Sequence, residues 1–284
     1  MRRTTKTRAQ AQTHAQTRTR TTWARATAAA LLATAALLGA GGPAAPAAAG
    51  PPAVAGPPAA VREGEGLRAL FGSENRTMRT DRRVVALTFN AAWNEEGLDT
   101  VLDVLARRSA PAAFFLTGDF ADRHPAAARR IAAAGHGLGN HSYSHPYFAD
   151  LTAAGRRAEV LDADRALRAA SGAVPLPFFR FPYGETSARH ITEVNELGFA
   201  DIEFTTDTNG YLGAAGGMTV DRAVDRALAA LRPGAILQMH VGAPRGQEPV
   251  LDAEALPRII DAYRARGYEL VDLRTLLTPG TPAA

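Results

Sequence analysis

The possible folds of this chain are limited above all by an alternation of short apolar runs with longer amphipathic stretches. This alternation repeats from residue 84 almost to the C-terminus. The first apolar run spans 84–89 (VVALTF), and leucine and valine then recur at helical spacing over 98–105. A second run spans 112–116 (AAFFL), and a proline opens the helical stretch 125–134. Strands that alternate with helices form parallel βα units, so the chain is predicted to have an α/β fold.

The same alternation continues through the rest of the chain. Further strands are predicted at 137–139, 178–180, 199–205, 235–239 and 268–273, and further helices at 156–170, 187–197, 220–231 and around 256–263. About seven parallel strands predict an irregular or incomplete (β/α) barrel, and an open doubly wound sheet is the competing architecture. No G-x-G-x-x-G turn follows the first strand, which argues against a dinucleotide site.

The basic character of the chain comes from its N-terminal region. The formal net charge is +4, but residues 1–49 carry seven cations and no acid. The remaining residues hold 25 basic and 28 acidic groups, which gives a formal charge of −3. A nucleic-acid partner is therefore not expected, because the charge that suggests one lies outside the predicted fold.

Residues 1–49 are predicted to be a signal peptide. An apolar run at 26–38 follows the basic opening, and small-residue sites of the A-x-A type occur at 47–49 and 53–55. The run is shorter than the ~20 residues of a membrane span, so cleavage near Ala49 or Ala55 is favoured over a retained membrane anchor. The absence of cysteine excludes a lipid-modified cysteine. The mature chain is expected to be a secreted monomer, with the cell wall as a candidate location.

Composition divides the remainder into three parts. Residues 50–82 form a Pro/Ala-rich linker and a polar approach segment, residues 83–277 form the folded domain, and residues 278–284 form a tail.

Polar residues occur repeatedly where the predicted strands end. In parallel barrels, functional side chains collect at these C-terminal strand ends. The strand-end residues here are Asn90, His141, His145, Arg180, Asp207 and His240.

Two stretches carry most of this signal. His141 and His145 are spaced i,i+4, so one helical turn would place both imidazoles on the same face, able to hold one metal ion. Taken alone, such a pair is more often two solvated or capping histidines. In the second stretch, Arg180-Phe-Pro182-Tyr183, arginine offers a fixed fork of donors and the Tyr183 N–H is a candidate oxyanion donor, although an ordinary turn would look the same. His240 is a candidate general acid or, alternatively, a core histidine at a strand end.

Taken together, these stretches resemble the polysaccharide deacetylase (NodB-homology) family over roughly residues 83–277. The matches follow the family order: Leu87-Thr-Phe89, His141-Ser-x-x-His145, Arg180-x-Pro-Tyr183, Asp207-Thr-x-Gly-Tyr211 and the strand that ends at His240. The resemblance implies removal of N- or O-acetyl groups from a polysaccharide such as peptidoglycan or a chitin-like chain. It also implies a divalent metal, expected to be zinc, bound by His141 and His145. It further implies catalytic roles for His240, Arg180 and Asp207 and substrate contacts from Tyr183, Pro182 and Tyr211.

The chain departs from the family pattern at three carboxylates. The family's T-F-D-D motif, which supplies the base and an acidic metal ligand, is here Thr88-Phe-Asn90-Ala91. The second Asp of the fourth motif, associated with the acid histidine, is here Gly210, and Tyr211 replaces a tryptophan.

Three functions remain open on these residues. The favoured one is a secreted, metal-assisted deacetylase in which the Asn90 amide oxygen or water completes the metal shell and Asp207 or metal-bound hydroxide replaces the base. The alternative is a non-catalytic glycan-binding protein on the same fold, because both carboxylates of the first motif are absent. A barrel glycosidase ranks last, since it needs two facing carboxylates and only Asp207 is well placed.

Overall fold

The strand β1 (Val84–Ala91) lies at the centre of the sheet. The structure is a computed structural model that describes residues 59–243 and 249–278. All eight residues of β1 are buried, as expected for a β-branched and apolar strand with neighbours on both sides. It pairs in parallel with β2 (Ala112–Leu116) and β7 (Ala235–His240), and the register places Asn90 beside His240.

The described strands are parallel wherever they pair and form one curled half-barrel. The order is β5-β4-β3-β2-β1-β7-β6, and β8 pairs with the start of β1. The other strands are β3 (Gly137–Asn140), β4 (Phe178–Phe179), β5 (Ala200–Asp201), β6 (Thr206–Asp207) and β8 (Glu269–Leu270). The predicted irregular barrel of about seven parallel strands is confirmed.

One predicted strand is shorter than expected and is followed by a second strand. The stretch 199–205 (FADIEFT) was expected to form a single strand, but only β5 lies within it, and β6 begins after it at Thr206. β5 and β6 lie at opposite ends of the strand order, so the four residues between them connect one edge of the curled sheet to the other. Aromatic and β-branched residues indicate a strand in this stretch but do not show where it ends.

Helices cover the outside of the sheet, and several begin at a Ser or Thr side chain. Thr117, Thr152, Ser187 and Thr219 each accept a backbone N–H three residues later, which satisfies a donor that the helix itself leaves free. The helices are α1 (Ala59–Ala69), α2 (Leu98–Arg107), α3 (Gly118–Arg123), α4 (Pro125–Ala133), α5 (Ala153–Ser171), α6 (Ala188–Glu196), α7 (Val220–Ala229) and α8 (Leu251–Ala265). The short helix α3 was not predicted.

The folded part begins before residue 83. The segment 50–82 was predicted to be a linker and approach segment, but α1 lies within it, and Leu70 and Met78 are buried in the core. Asn75 forms a parallel bridge with Ile202. The predicted signal peptide lies outside the described residues, as does the tail except for Thr278.

The two faces of β1 belong to different clusters, and this division orients the site. Leu87, Phe89 and Ala91 pack in the cluster between sheet and helices, whereas Ala86 packs in the interior cluster of the half-barrel. Because successive side chains of a strand alternate, Asn90 lies on the interior face and Ala91 on the helix-covered face. Among the described residues, no helix combines the length and apolar character needed to cross a membrane.

Candidate active site

A pocket of about 880 Å³ opens at the C-terminal ends of the strands. This volume is within the usual range for small-molecule binding sites. The polar and aromatic residues that line it include Asn90, Trp93, His141, His145, Tyr183, Asp207, Tyr211, Gln238 and His240. The fold therefore brings together all but two of the predicted site residues. The exceptions, Arg180 and Pro182, are buried next to the pocket and do not line it.

The two histidines meet in a loop rather than on a helix. His141 directly follows β3, and the chain reaches His145 through left-handed backbone at Ser142 (φ 64°) and at His145 itself (φ 61°). The predicted helical turn is thus wrong. The rings nevertheless lie in contact, with centroids 4.8 Å apart, because the loop folds back on itself. Such left-handed positions for residues other than glycine cluster at functional sites.

The hydrogen bonds of His141 define its protonation. Its Nδ1 lies 2.8 Å from the Arg180 carbonyl oxygen, which only accepts, so Nδ1 carries the proton and donates. Burial holds the pKa of His141 well below its usual range, and the Nε2 lone pair is therefore free to accept. Burial also lowers the pKa of His145, to about 4. Both imidazoles are neutral at pH 7.

The Asn90 amide presents its nitrogen, not its oxygen, to His141. The Arg180 guanidinium donates to Asn90 Oδ1 at 3.0 Å, which fixes the oxygen on the arginine side. Asn90 Nδ2 then donates to His141 Nε2 at 3.2 Å and to Gln238 Oε1 at 3.1 Å. The expectation that the amide oxygen joins a metal shell is therefore wrong, since that oxygen is held by a cation that cannot accept.

Gln238 extends this chain of hydrogen bonds to Asp207. Gln238 Nε2 donates to Asp207 Oδ2 at 2.8 Å, so donors point in one direction from Arg180 through Asn90 and Gln238 to the carboxylate. Gln238 was not among the predicted site residues. The sequence could have indicated Gln238 as a site residue, because it lies two residues before His240 and hence on the same face of β7.

Arg180 is a positioning residue buried beneath the pocket. Its side chain is fully buried and donates to Thr88 Oγ1 at 3.0 Å and to the carbonyl oxygens of Ile202 and Glu203 at 2.9 and 3.1 Å. Burial lowers its pKa to about 10, so it stays cationic at pH 7. A direct catalytic contact, as the sequence suggested, is therefore not available to Arg180.

Two buried carboxyls balance the charge of Arg180. Asp201 and Glu203 are both fully buried, and burial raises the pKa of each. Two like charges this close do not both ionise near neutral pH, so the pair retains a proton and carries about one negative charge. Glu203 Oε1 also accepts the Phe181 N–H at 2.9 Å, which supports the turn at Pro182 and Tyr183.

His240 keeps carboxylate neighbours although position 210 is glycine. His240 Nδ1 lies 3.8 Å from Asp207 Oδ1 and 3.7 Å from Asp252 Oδ2. Gly210 lacks the carboxylate that the family places near the acid histidine, but α8 brings in Asp252 instead. No local sequence pattern marks Asp252, which reaches the site only through tertiary packing.

Aromatic side chains form the rim of the pocket. Tyr183, at a left-handed turn (φ 61°), stacks on Tyr147 with centroids 3.9 Å apart. Trp93 packs edge-on against His145 at 5.3 Å, and Tyr211 lies 4.5 Å from His240. Rings on both sides of a polar floor are suited to hold the apolar faces of sugar rings.

The residues present do not fit a catalytic zinc site. Such a site uses three protein ligands, and His141 and His145 supply two, one with a buried Nδ1 that bonds to no described residue. Asn90 does not supply a third ligand, because its N–H points at His141 Nε2. Ala91 cannot supply one either, because it lies on the other face of β1. Within 59–243 and 249–278, no group of three or more His, Cys, Asp or Glu side chains is arranged to hold a metal ion.

Comparison with known proteins agrees with this architecture. The family model for polysaccharide deacetylase matches residues 77–202. A chitooligosaccharide deacetylase of Sinorhizobium fredii is 36% identical over 194 residues, which cover 65% of this chain and 87% of that protein. The chain belongs to the polysaccharide deacetylase family. A peptidoglycan-N-acetylglucosamine deacetylase of Bacillus cereus is 30% identical over 68% of this chain and 67% of its own length.

A pseudoenzyme of carbohydrate esterase family 4 from Bacillus anthracis has a similar fold. It superimposes with a TM-score of 0.62 and 27% identity. The match covers 69% of this chain and 66% of that one. A mutant of that pseudoenzyme with restored enzymatic activity has the same TM-score and identity.

Proposed function

We propose that this protein is an exported, glycan-binding member of the polysaccharide deacetylase family whose pocket holds an acetylated glycan without hydrolysing it. The orientation of the Asn90 amide carries the proposal. Asn90 cannot act as a base, and its N–H faces the lone pair of His141, where a metal would bind. Loss of a general base alone typically costs ~10²–10⁴ in rate.

Features of the pocket floor and rim support binding. Asp207 and the neutral imidazole of His145 can accept from sugar hydroxyls and amide N–H groups, and the rim offers the rings of Trp93, Tyr183 and Tyr211. These three rings are among the most exposed large apolar side chains of the described residues. Exposed aromatics gathered around one concave site mark a binding surface.

The substrates of two relatives indicate the class of ligand. The two relatives act on chitooligosaccharide and on peptidoglycan N-acetylglucosamine. Both substrates contain N-acetylglucosamine. The proposed ligand is therefore a glycan that contains this sugar and is located in the cell wall or elsewhere outside the cell. The pseudoenzyme neighbour is a precedent for a member of the family without activity.

A second candidate is metal-assisted deacetylation by the same pocket, in which the chain is a secreted hydrolase. The pair of Asp207 and His240 favours it, since both line the pocket and lie 3.8 Å apart. Asp207 would replace the missing base and His240 would protonate the leaving amine. This candidate would need a divalent ion, expected to be zinc, to supply Lewis acidity at His141 and His145, and it ranks second because the described residues do not fit such a site.

Calorimetric titration with N-acetylglucosamine oligomers tests the binding proposal, with fully deacetylated glucosamine oligomers as the ligand control. We expect binding of the acetylated oligomer and a loss of affinity of about fivefold in Trp93→Ala, since an aromatic contact contributes ~1 kcal/mol. Val174→Ala is the matched control, because Val174 is exposed but does not line the pocket. Equal affinity of wild type and Trp93→Ala, or no binding of the acetylated oligomer, contradicts the proposal.

A further inference from the structure

The space beside Gly210 is filled by a carboxylate from another element. A Cβ built on Gly210 would lie 2.2 Å from Asp252 Oδ1, far inside contact distance. The backbone of Gly210 does not have the positive φ that favours glycine. Glycine is therefore needed at this position for space alone, and the occupant of that space is the side chain of Asp252.

Asp252 is held rigidly in this space. It is fully buried in the first turn of α8. Its Oδ1 accepts the Thr208 hydroxyl at 2.6 Å, and its Oδ2 accepts the His240 backbone N–H at 2.8 Å. Hydrogen bonds to an ionised acceptor are the stronger ones, so these two bonds fix both the carboxylate and the backbone of the histidine.

The ring of His240 faces two carboxylate oxygens with the same nitrogen. Nδ1 is buried, makes no hydrogen bond to the described residues, and lies 3.7 Å from Asp252 and 3.8 Å from Asp207. A lone pair aimed at two anions is repelled, whereas an N–H aimed at them is attracted. The surroundings therefore favour the tautomer with the proton on Nδ1 and the lone pair on Nε2.

We propose that Asp252 is the positioning residue of His240, supplying from α8 the carboxylate that Gly210 cannot. It fixes the Nδ1–H tautomer, so that His240 offers Nε2 to the pocket as an acceptor for a ligand hydroxyl or amide N–H. The role in ligand binding rests on the proposed function of this pocket. The tautomer itself does not.

Nitrogen NMR of the 15N-labelled protein reads the tautomer of His240 directly. We expect the Nδ1–H form in wild type and a mixture of tautomers in Asp252→Asn, which removes one negative charge but keeps the shape of the side chain. Glu254→Gln is the matched control, since Glu254 is an exposed carboxyl in the same helical turn. An unchanged His240 spectrum in Asp252→Asn overturns the proposal.

Moving the carboxylate provides a second test that does not depend on one variant folding. Gly210→Asp alone is expected to lower the melting temperature, because its Cβ overlaps Asp252. The double variant Gly210→Asp with Asp252→Gly removes the overlap and is expected to recover melting temperature and the Nδ1–H signal. Failure to recover either overturns the proposal.

Glycan affinity separates this inference from the proposed function. A tenfold or greater loss of affinity in Asp252→Asn, with the tautomer changed, supports both. A changed tautomer with wild-type glycan affinity supports the positioning of His240 and contradicts its role in binding the glycan.

Discussion

At position 90, a single amide determines what the pocket can bind. Its oxygen is held by Arg180, so its N–H groups face His141 and Gln238. A carboxylate here would present an acceptor to both, and Gln238 would have to turn its own amide away from Asp207. Asn90 and Gln238 are therefore matched to each other through the direction of their hydrogen bonds.

Substitutions at positions 90 and 91 should have opposite consequences. Asn90→Asp removes the N–H that faces His141 Nε2 and adds a negative charge beside it, so we expect zinc affinity at least about tenfold above wild type. Ala91→Asp buries a charge in the apolar cluster between sheet and helices, so we expect no added zinc binding and a loss of about 3 kcal/mol in unfolding free energy. Calorimetric titration with zinc chloride measures the zinc affinity, and urea unfolding measures the unfolding free energy. Zinc uptake by Ala91→Asp, with stability unchanged, contradicts the assigned faces of β1.

The free energy of unfolding should decrease as the pH is lowered, because of the buried histidines. Burial lowers the pKa of His145 from 6.5 to about 4 and lowers that of His141 further below its usual range. Between these values the unfolded chain binds protons that the folded pocket excludes, so the folded state loses stability as pH falls from about 6.5 towards 4. Urea unfolding at several pH values should show a shallower decline in His145→Gln than in wild type. Identical pH dependence contradicts the neutral, buried state of His145.

Among the elements, the short strands β4 and β5 depend on one buried cation. Arg180 follows β4 and bonds to side chains of β1 and to carbonyl oxygens just after β5. Its guanidinium also lies over the ring of Phe115 on β2, 3.9 Å from the centroid. Two-residue strands make few ladder bonds, so these contacts replace part of the missing ladder.

Removal of this cation should destabilise the fold strongly. Arg180→Met leaves the Asp201 and Glu203 pair without its counter-charge, and we expect a loss of about 3–5 kcal/mol in unfolding free energy. Arg165→Met is the matched control, because Arg165 forms an exposed ion pair with Asp162 worth at most about 1 kcal/mol. Denaturant unfolding compares the two. A loss no larger than that of Arg165→Met contradicts the role assigned to Arg180.

The sequence predicted elements better than it predicted contacts. Alternating apolar runs located β1, β2, β3 and β7 closely, because a parallel strand that is buried on both faces is mostly apolar. The separation of β5 from β6 was not predicted, since nothing in the stretch 199–205 marks where β5 ends. Strand-end polarity predicted the members of the pocket, but not that Asn90 turns its nitrogen to His141, which depends on Arg180 from another strand. The contact of Asp252 with His240 could not be predicted from the sequence, because only the packing of α8 brings the two residues together.

At the scale of the whole molecule, the proposed function requires export. The basic leader followed by the apolar run 26–38 supports cleavage near Ala49 or Ala55. Mass spectrometry of protein from the culture medium should therefore find a chain that begins shortly after one of these residues. Secreted protein that begins at Met1, or protein found only inside cells, contradicts export by cleavage.

Acetate release from an N-acetylglucosamine oligomer in the presence of zinc distinguishes a pocket that only binds glycan from one that hydrolyses it. Wild type is predicted to bind the oligomer yet release no acetate above a protein-free blank. Asn90→Asp is predicted to release acetate at least about 100-fold faster than that background, since it restores a proton acceptor in a pocket that otherwise keeps His240 and Asp207. Acetate release by wild type at a rate equal to or above that of Asn90→Asp contradicts the account.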